Sequence, residues 1–296
     1  MPMISERAPA KINLTLEVIG KRPDGYHEIA SLVAFADFGD VITLDTSKPL
    51  KTEVSGPFGG GIAGQNLIDV TLRKISDVNP GLALGAVHLD KRLPIAAGIG
   101  GGSADAAAVL RAVRRANPSY GDHIDWFAIA KSLGADVPVC FLNSAAWMTG
   151  IGDVLEAAGS LPPLDAVLVN PLLPMPPDKT AQVFRGLGAR ALDPSRQGQR
   201  RPNPGPFGSA AGLIDYMISR GNDLSAPAAR AVTVIDVMKK ALIEAEGCAY
   251  AAVSGAGPTC FGIYGDADAA AQKIAAAHPD WWVKRVKLGS PVSVSG

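Results

Sequence analysis

The feature of this sequence that most constrains its fold is a glycine-rich segment between a predicted strand and a predicted helix. The strand covers residues 86–89, and the segment at residues 98–103 is Gly-Ile-Gly-Gly-Gly-Ser. Glycines let backbone N–H groups approach a ligand closely, and the start of a helix adds free donors and partial positive charge. We therefore predict an anion cradle suited to polyphosphate. A flexible linker or a tight turn is the alternative, although linkers seldom open an alanine-rich helix.

The helix that follows this segment is predicted to start with Ser103 as its N-cap and to end near Asn117, before Pro118. Asp105 would then lie in the positively polarised first turn. Two familiar nucleotide motifs do not fit the spacing. A P-loop requires a lysine directly after the glycines, and the dinucleotide fingerprint requires a glycine where Ser103 stands. The sequence predicts a phosphate loop of another type.

Residues 10–19 alternate between apolar and polar side chains, which predicts a half-buried strand with Lys11 and Asn13 on its polar face. Asp136 is a lone acidic residue in an apolar stretch just before Pro138. Phosphoryl transfer needs a cradle, a metal, a base or orienter for the attacking hydroxyl, and a cation. Asp136 and Lys11 are candidates for that base and that cation. The alternatives are that Asp136 caps the next turn and that Lys11 is a solvated surface charge.

Two further motifs each have a structural and a functional interpretation. Tyr26 and His27 follow a Pro-Asp-Gly turn and could offer an aromatic platform and a hydrogen-bonding edge to a flat ring. Ordinary packing at a hairpin is the alternative. The segment at residues 254–259 could be a plain hairpin turn, but its glycine content predicts close approach to another loop or to a ligand.

The order of predicted elements indicates an α/β (α+β) chain of two domains, residues 1–160 and 161–296. The second half follows the order βαββαβ, which is typical of the ferredoxin-like arrangement. Residues 186–212, rich in Arg, Gly, Pro and Gln, are predicted to be a surface insertion or a disordered loop. The predicted strands of the second half cover residues 165–170, 249–253, 259–264 and 281–287. One predicted helix carries the apolar residues from Val232 to Leu242 and ends at Gly247, and another is capped by Asp266 and runs to about His278.

Composition and charge exclude several classes of protein. Of 296 residues, 47% are hydrophobic and 19% are charged, so the chain can bury a large core. Lys and Arg together number 28, as do Asp and Glu, and this balance argues against a nucleic-acid or membrane-surface partner. Three cysteines without CxxC and four histidines without HExxH predict neither a disulfide framework nor a zinc hydrolase. With no signal peptide or membrane span expected, we predict a cytoplasmic protein with a small-molecule substrate; no oligomeric state is predicted.

Five segments of the chain together resemble a known group of enzymes, the GHMP kinase superfamily. Its three signatures are matched by Pro-Ala-Lys-Ile-Asn-Leu-Thr-Leu from residue 9, Leu-Pro-Ile-Ala-Ala-Gly-Ile-Gly-Gly-Gly-Ser-Ala-Asp-Ala-Ala from residue 93 and Val-Ser-Gly-Ala-Gly-Pro-Thr-Cys-Phe from residue 253. Arg-Pro-Asp-Gly-Tyr-His from residue 22 and Leu-Gly-Ala-Asp-Val-Pro-Val from residue 133 resemble one branch of the superfamily. The resemblance spans nearly the whole chain, apart from residues 186–212.

The resemblance implies both a fold and a reaction. The N-terminal half would be a ribosomal-protein-S5-like α/β domain, and the C-terminal half would be the ferredoxin-like domain. The branch in question uses ATP and Mg²⁺. It passes the γ-phosphate to the 2-hydroxyl of 4-diphosphocytidyl-2-C-methyl-D-erythritol in the non-mevalonate pathway to isoprenoids.

The resemblance also implies catalytic and nucleotide-binding roles for individual residues. Asp136 matches the catalytic aspartate of the family, and Lys11 matches its partner lysine. Ser103 would lie near Mg²⁺ and the β-phosphate, and Asn66 would approach the nucleotide. The segment that would hold the ATP phosphates comprises Pro94, Ile95, Ala96, Ala97, Gly98, Ile99, Gly100, Gly101, Gly102, Ser103 and Ala104.

A second set of residues would bind the cytidine substrate, again as the resemblance implies. Asn13 would help to place the substrate. Tyr26 would stack on the cytosine ring, and His27 would hydrogen-bond to its edge. Phe184 would cover the other face of the base, with Thr180 nearby. The lead-in to that threonine, Met-Pro-Pro-Asp-Lys, departs from the small residues that the family pattern predicts there.

Three other functions stay open at this point. Another GHMP kinase, acting on mevalonate, homoserine or a sugar, would not need the platform formed by Tyr26 and His27. A non-catalytic nucleotide-binding module would not need Lys11, Asp136 and Ser103 together. A Rossmann oxidoreductase is opposed by the spacing of the glycines.

Overall fold

A 19-residue strand, β3 (His27–Asp45), is the spine of the sheet in the computed structural model of the protein, which describes residues 3–61, 66–120, 123–193 and 200–289. Along one edge β3 pairs with β2 (Glu17–Lys21) and then with β1 (Ile4–Asn13). Along its other edge it pairs with β6 (Ala146–Gly150) near its start and with β5 (Ala86–Asp90) near its end. One long strand therefore holds these four others in register, and it pairs with a fifth from the C-terminal half.

Within the described ranges the chain forms eleven strands and nine α-helices. The other strands are β4 (Lys51–Ser55), β7 (Val154–Ala157), β8 (Leu164–Asn170), β9 (Cys248–Val253), β10 (Cys260–Tyr264) and β11 (Trp282–Gly289). The helices are α1 (Leu67–Val78), α2 (Gly101–Ala116), α3 (Trp126–Leu133), α4 (Val137–Leu142), α5 (Lys179–Leu187), α6 (Ala210–Arg220), α7 (Ser225–Ala231), α8 (Val234–Glu244) and α9 (Ala267–Ala277). None of these helices combines the length and the apolar character needed to cross a lipid bilayer.

The C-terminal half has the βαββαβ order that the sequence predicts. Its strands lie in the order β11-β8-β10-β9, with antiparallel pairing between neighbours. Helix α8 precedes β9, and α9 joins β10 to β11. This is the ferredoxin-like arrangement. Strand β11 also pairs with β3 at its end, so the sheet continues from one half of the chain into the other.

The strand predicted over residues 10–19 is wrong in its bounds and in its exposure. Strand β1 ends at Asn13, and β2 starts at Glu17 after a short break. Both faces of the C-terminal part of β1 are covered, and Lys11 and Asn13 are each only 5% exposed. Alternation identifies which side chains share a face, but it does not reveal that a loop will cover the polar face. Lys11 is therefore not a solvated surface charge.

The start of α2 also differs from the prediction. Its N-cap is Gly100, in the left-handed region with φ 70°, and not Ser103, which is the third residue of the helix. Asp105 consequently lies beyond the first turn, where it is buried. The predicted C-terminal end is close to the observed one, because Asn117 is the C-cap.

The described parts of residues 186–212 pack against the N-terminal half of the chain. The backbone N–H of Leu192 donates to the carbonyl oxygen of Lys21 at 2.7 Å, and the indole Nε1–H of Trp147 donates to the carbonyl oxygen of Arg201 at 2.9 Å. The first two residues of the stretch end α5, and its last three begin α6. Residues 194–199, which belong to the predicted insertion, lie outside the described residues. A simple surface insertion is therefore the wrong description of the rest.

Candidate active site

Lys11 and Asp136 form a direct ion pair, with 2.8 Å between Lys11 Nζ and Asp136 Oδ1. Lys11 projects from the end of β1, and Asp136 immediately precedes α4. The carboxylate makes no capping hydrogen bond to that helix, and about 40% of the side chain is exposed. Asp136 thus occupies the N-cap position of α4, as one interpretation of the sequence has it, but its side chain does not cap the helix. The buried ammonium holds this carboxylate facing open space.

The glycine-rich loop is tethered on both sides and is not a flexible linker. The backbone N–H of Lys11 donates to the carbonyl oxygen of Ile99 at 2.9 Å, and that of Thr259 donates to Ala97 at 3.2 Å. Gly98 has φ 75°, and a Cβ there would overlap the carbonyl oxygen of Gly257. No side chain fits at Gly98, because another loop already occupies the space.

The loop offers mainly its backbone to a ligand. The side chains of four members point into the protein interior: Pro94, Ala97, Ile99 and Ala104. Four others are exposed to solvent: Ile95, Ala96, Gly98 and Gly102. The loop thus packs its apolar side chains inward, and the first turn of α2 adds backbone N–H groups that have no partner within the helix. That is the arrangement expected of an anion cradle.

The turn at residues 254–259 approaches both the loop and β1, as its glycine content predicts. The hydroxyl of Thr259 donates to the carbonyl oxygen of Ala97 at 2.7 Å. The backbone N–H of Asn13 donates to Ser254 Oγ at 3.1 Å, and its side-chain amide donates to Ser31 Oγ at 2.8 Å. A Cβ on Gly255 would lie 3.1 Å from the amide oxygen of Asn13, so glycine leaves that oxygen room.

A cavity of about 370 Å³ is lined by the predicted catalytic residues and by other residues from both halves of the chain. Lys11, Asp136 and Ser103 line it together with backbone from the glycine loop and from the turn at residues 254–259. Asn13, Thr180 and Phe184 line it as well. Residues that are more than 240 positions apart in the sequence thus face one space.

A larger cavity of about 800 Å³ adjoins the first, because Thr180 and Phe184 line both. Tyr26 and His27 line the larger one, and Tyr26 is 61% exposed. The rings of His27 and Phe184 are stacked, with 4.9 Å between centroids. The pKa of His27 is lowered from its usual value, first by burial and second by the charge of Lys21. A neutral imidazole can both donate and accept a hydrogen bond.

Asn66 is placed apart from the other predicted site residues. It is the N-cap of α1, and its side-chain oxygen accepts a hydrogen bond from the backbone N–H of Ile68 at 3.0 Å. It lines neither of the two cavities. A role for Asn66 in nucleotide binding remains a prediction.

Sequence reasoning missed a buried ion triad beneath the start of α2. Lys91 Nζ lies 2.6 Å from a carboxylate oxygen of Asp40 and 2.6 Å from one of Asp105. Asp40 also accepts hydrogen bonds from the backbone N–H groups of Arg92 and Leu93, so it fixes the chain where it enters the loop. Burial raises the pKa of Asp105, and the ammonium of Lys91 opposes that rise. The available signal in the sequence was the basic pair Lys91-Arg92 directly before the apolar start of the loop at Leu93.

Comparison with known proteins identifies the family. A protein of Methylobacterium radiotolerans named 4-diphosphocytidyl-2-C-methyl-D-erythritol kinase is 46% identical to this chain, over 96% of this chain and 98% of its own length. This chain belongs to the 4-diphosphocytidyl-2-C-methyl-D-erythritol kinase family. A member of that family from Bradyrhizobium diazoefficiens is 42% identical, over 96% of this chain and 97% of its own length.

Family models and solved structures agree with this placement in the 4-diphosphocytidyl-2-C-methyl-D-erythritol kinase family. The model of the GHMP kinases N terminal domain matches residues 66–144, and that of the GHMP kinases C terminal domain matches residues 202–283. A crystal structure of 4-(cytidine 5'-diphospho)-2C-methyl-D-erythritol kinase superposes with a TM-score of 0.72 and 29% identity, covering 97% of this chain and 99% of that one. A crystal structure of the homoserine kinase of Cytophaga hutchinsonii superposes with a TM-score of 0.67 and 16% identity, covering 98% of this chain and 96% of that one. The two proteins share the fold. The predicted two-domain GHMP fold and the predicted enzyme class, a kinase, are confirmed.

Proposed function

We propose that this protein transfers the γ-phosphate of ATP to the 2-hydroxyl of 4-diphosphocytidyl-2-C-methyl-D-erythritol. The observation that carries the proposal is the Lys11–Asp136 ion pair, which lines the smaller of two adjoining cavities, next to Ala135, which lines both. One cavity borders the glycine loop, and the other is lined by aromatic rings. A nucleotide substrate in the aromatic cavity could thus present a hydroxyl to Asp136 while ATP phosphates lie against the loop. The names of the relatives support the same substrate.

The proposed chemistry is a direct transfer between two oxygen atoms. The 2-hydroxyl oxygen would form a bond to the γ-phosphorus while the bond from that phosphorus to the β–γ bridging oxygen breaks. The proton of the hydroxyl would pass to the carboxylate of Asp136, and ADP would leave. Lys11 would hold that carboxylate in place and offset the negative charge that develops.

Mg²⁺ is part of the proposal. Among the residues that the structure describes, no cluster of three or more His, Cys, Asp and Glu side chains could hold a metal ion. Mg²⁺ in kinases takes one or two protein oxygens and completes its shell with water and phosphate. The Ser103 hydroxyl lines the smaller cavity beside the glycine loop and fits that requirement. When bound, the ion would neutralise charge on the phosphate oxygens.

The base would be recognised in the larger cavity. We propose that Tyr26 stacks on the cytosine ring, that His27 hydrogen-bonds to the edge of the ring and that Phe184 contacts it as well. Stacking between a base and an aromatic side chain contributes about 1–3 kcal/mol. The lowered pKa of His27 supports a neutral ring that reads the edge of the base. We further propose a cytoplasmic location, which the free thiols of all three cysteines support.

The deciding experiment measures ADP release from Mg-ATP with 4-diphosphocytidyl-2-C-methyl-D-erythritol, mevalonate and homoserine as separate acceptors. Turnover with the cytidine compound alone is the expected result. Turnover with only another acceptor would keep the phosphate loop and overturn the roles of Tyr26, His27 and Phe184. ATP binding without turnover of any acceptor would favour a non-catalytic module.

A further inference from the structure

Lys179, the first residue of α5, is a buried cation in the smaller cavity that the proposed chemistry does not use. It is 6% exposed, and it lines that cavity together with Lys11, Asp136 and Ser103. Its Nζ donates to the carbonyl oxygen of Ala256 at 3.0 Å and to that of Gly257. An ammonium group has three N–H donors, so one of them is left for another acceptor.

The charge of Lys179 has no counter-charge within the described residues. The charged side chains that line the cavity are Lys11, Asp136 and Lys179, and the first two pair with each other. No carboxylate of the described chain lies within ion-pair distance of Lys179. Burial lowers the pKa of Lys179 to about 8, so the group is charged at neutral pH. A buried charge is costly unless something compensates it, and a bound anion would do so.

The position of Lys179 indicates which anion would bind to it. The carbonyl oxygen of Gly257, which accepts its hydrogen bond, packs directly against Gly98 of the glycine loop. The next residue, Thr180, lines both cavities. The ammonium of Lys179 therefore lies at the junction between the proposed ATP phosphates and the proposed nucleotide substrate.

We propose that Lys179 is a phosphate-binding residue, whose third N–H and positive charge bind a phosphate oxygen of a ligand in the smaller cavity. The oxygen belongs either to the terminal phosphate of ATP or to the diphosphate of the substrate. This inference rests on the proposed function for the identity of the ligands. The competing role is structural, in which Lys179 only ties α5 to the turn at residues 254–259.

The test compares K179M and K179Q with the wild type. Methionine removes both the charge and the donors, whereas glutamine keeps two N–H donors for the backbone carbonyls and removes the charge and the third donor. K273M is the matched control, since Lys273 is an exposed lysine on α9 that does not line the cavity. Equilibrium dissociation constants are measured for AMP-PNP and for CDP, and folding is checked by circular dichroism and thermal melting.

Both Lys179 variants are expected to bind one of the two probes roughly ten- to hundredfold more weakly. K273M should match the wild type. Weaker binding of AMP-PNP alone assigns the contact to ATP, and weaker binding of CDP alone assigns it to the substrate diphosphate. Unchanged constants for both probes in K179Q would overturn the proposal and leave the structural role.

Two further results keep the test decisive. If neither variant folds, calorimetry of wild-type binding at pH 8 in buffers of different ionisation enthalpy replaces them. Proton uptake on binding supports the proposal, because an anion raises the pKa of the ammonium, and the absence of proton uptake overturns it.

Binding of the probes does not require turnover. A wild-type protein that binds AMP-PNP but phosphorylates no acceptor would therefore refute the proposed function without touching this inference.

Discussion

At the scale of single residues, the site depends on side chains that are buried yet charged. Lys11 is almost fully covered and meets Asp136 at 2.8 Å, while the carboxylate keeps contact with the cavity. An exposed pair of this kind would contribute little free energy and would not hold a geometry. Here the covered lysine fixes one partner, so the free side of the carboxylate points in a defined direction.

Replacing Asp136 by asparagine should remove most of the activity while the fold survives. The amide cannot accept the hydroxyl proton as a carboxylate can, so we expect kcat to fall roughly 10²- to 10⁴-fold with little change in the KM for ATP. Steady-state kinetics and thermal melting check this. D77N is the control, because Asp77 is exposed on α1 and lines neither cavity. Wild-type turnover by the Asp136 variant would refute the proposed mechanism.

Replacing Tyr26 by alanine should weaken the binding of the cytidine substrate but not the binding of ATP. The side chain is 61% exposed, so its loss should change the free energy of unfolding little. Loss of one base stack should raise the KM for that substrate by roughly tenfold or more and leave the KM for ATP unchanged. Y120A, at a tyrosine that is 39% exposed and lines neither cavity, should change neither KM. Equal increases in the KM for ATP and in the KM for the cytidine substrate in the Tyr26 variant would contradict base stacking by Tyr26.

At the scale of elements, two loops and a strand end support one another. The glycine loop, the turn at residues 254–259 and the end of β1 are joined by backbone hydrogen bonds and by the contact between Gly98 and Gly257. Each segment alone would be mobile, because glycine-rich chains have many conformations in the unfolded state. Their mutual packing is what gives the cradle a fixed shape.

Local patterns predicted those segments, but not what covers them. Alternation placed Lys11 and Asn13 on one face, yet burial of that face depends on the distant residues Ile99 and Ser254. Ser103 was expected to cap α2 because its side chain suits that role, but the left-handed conformation of Gly100 starts the helix earlier. The roles of Lys179 and of the other buried charged residues depend on long-range contacts, which a local pattern does not encode.

Replacing Gly98 by alanine should damage the cradle. The residue has φ 75°, where an L side chain costs about 1–2 kcal/mol, and the new Cβ would overlap the carbonyl oxygen of Gly257. We expect a lower melting temperature and at least a tenfold loss of kcat/KM. The control is G212A, in α6, where a Cβ meets only ordinary contacts and alanine should be neutral or slightly stabilising. An unchanged kcat/KM in the Gly98 variant would show that the loop adapts easily.

At the scale of the whole molecule, the site lies where the two halves meet. Lys11, Asp136 and the glycine loop come from the first half, whereas Lys179, Thr180 and the turn at residues 254–259 come from the second. One apolar cluster includes Ile12 from the first half and Phe261 from the second. A relative movement of the halves would separate the catalytic pair from the residues that complete the cavity. The stability of the junction is therefore a condition for activity.

Leu288 on β11 tests whether the halves are energetically coupled. It pairs with Ala36 on β3 and with Leu164 on β8, and it is only 1% exposed. Replacing it by alanine should cost about 2–5 kcal/mol, because it leaves a cavity in the shared core. Hydrogen exchange should then speed up in β3 as well as in β10, since the loss acts on one continuous sheet. I243A is the control. Ile243 has a side chain as large as that of leucine but is 58% exposed, so this variant should change the free energy of unfolding by no more than about 0.5 kcal/mol. Faster exchange confined to the C-terminal strands would instead show that the halves open independently, and activity would then depend on how often they dock.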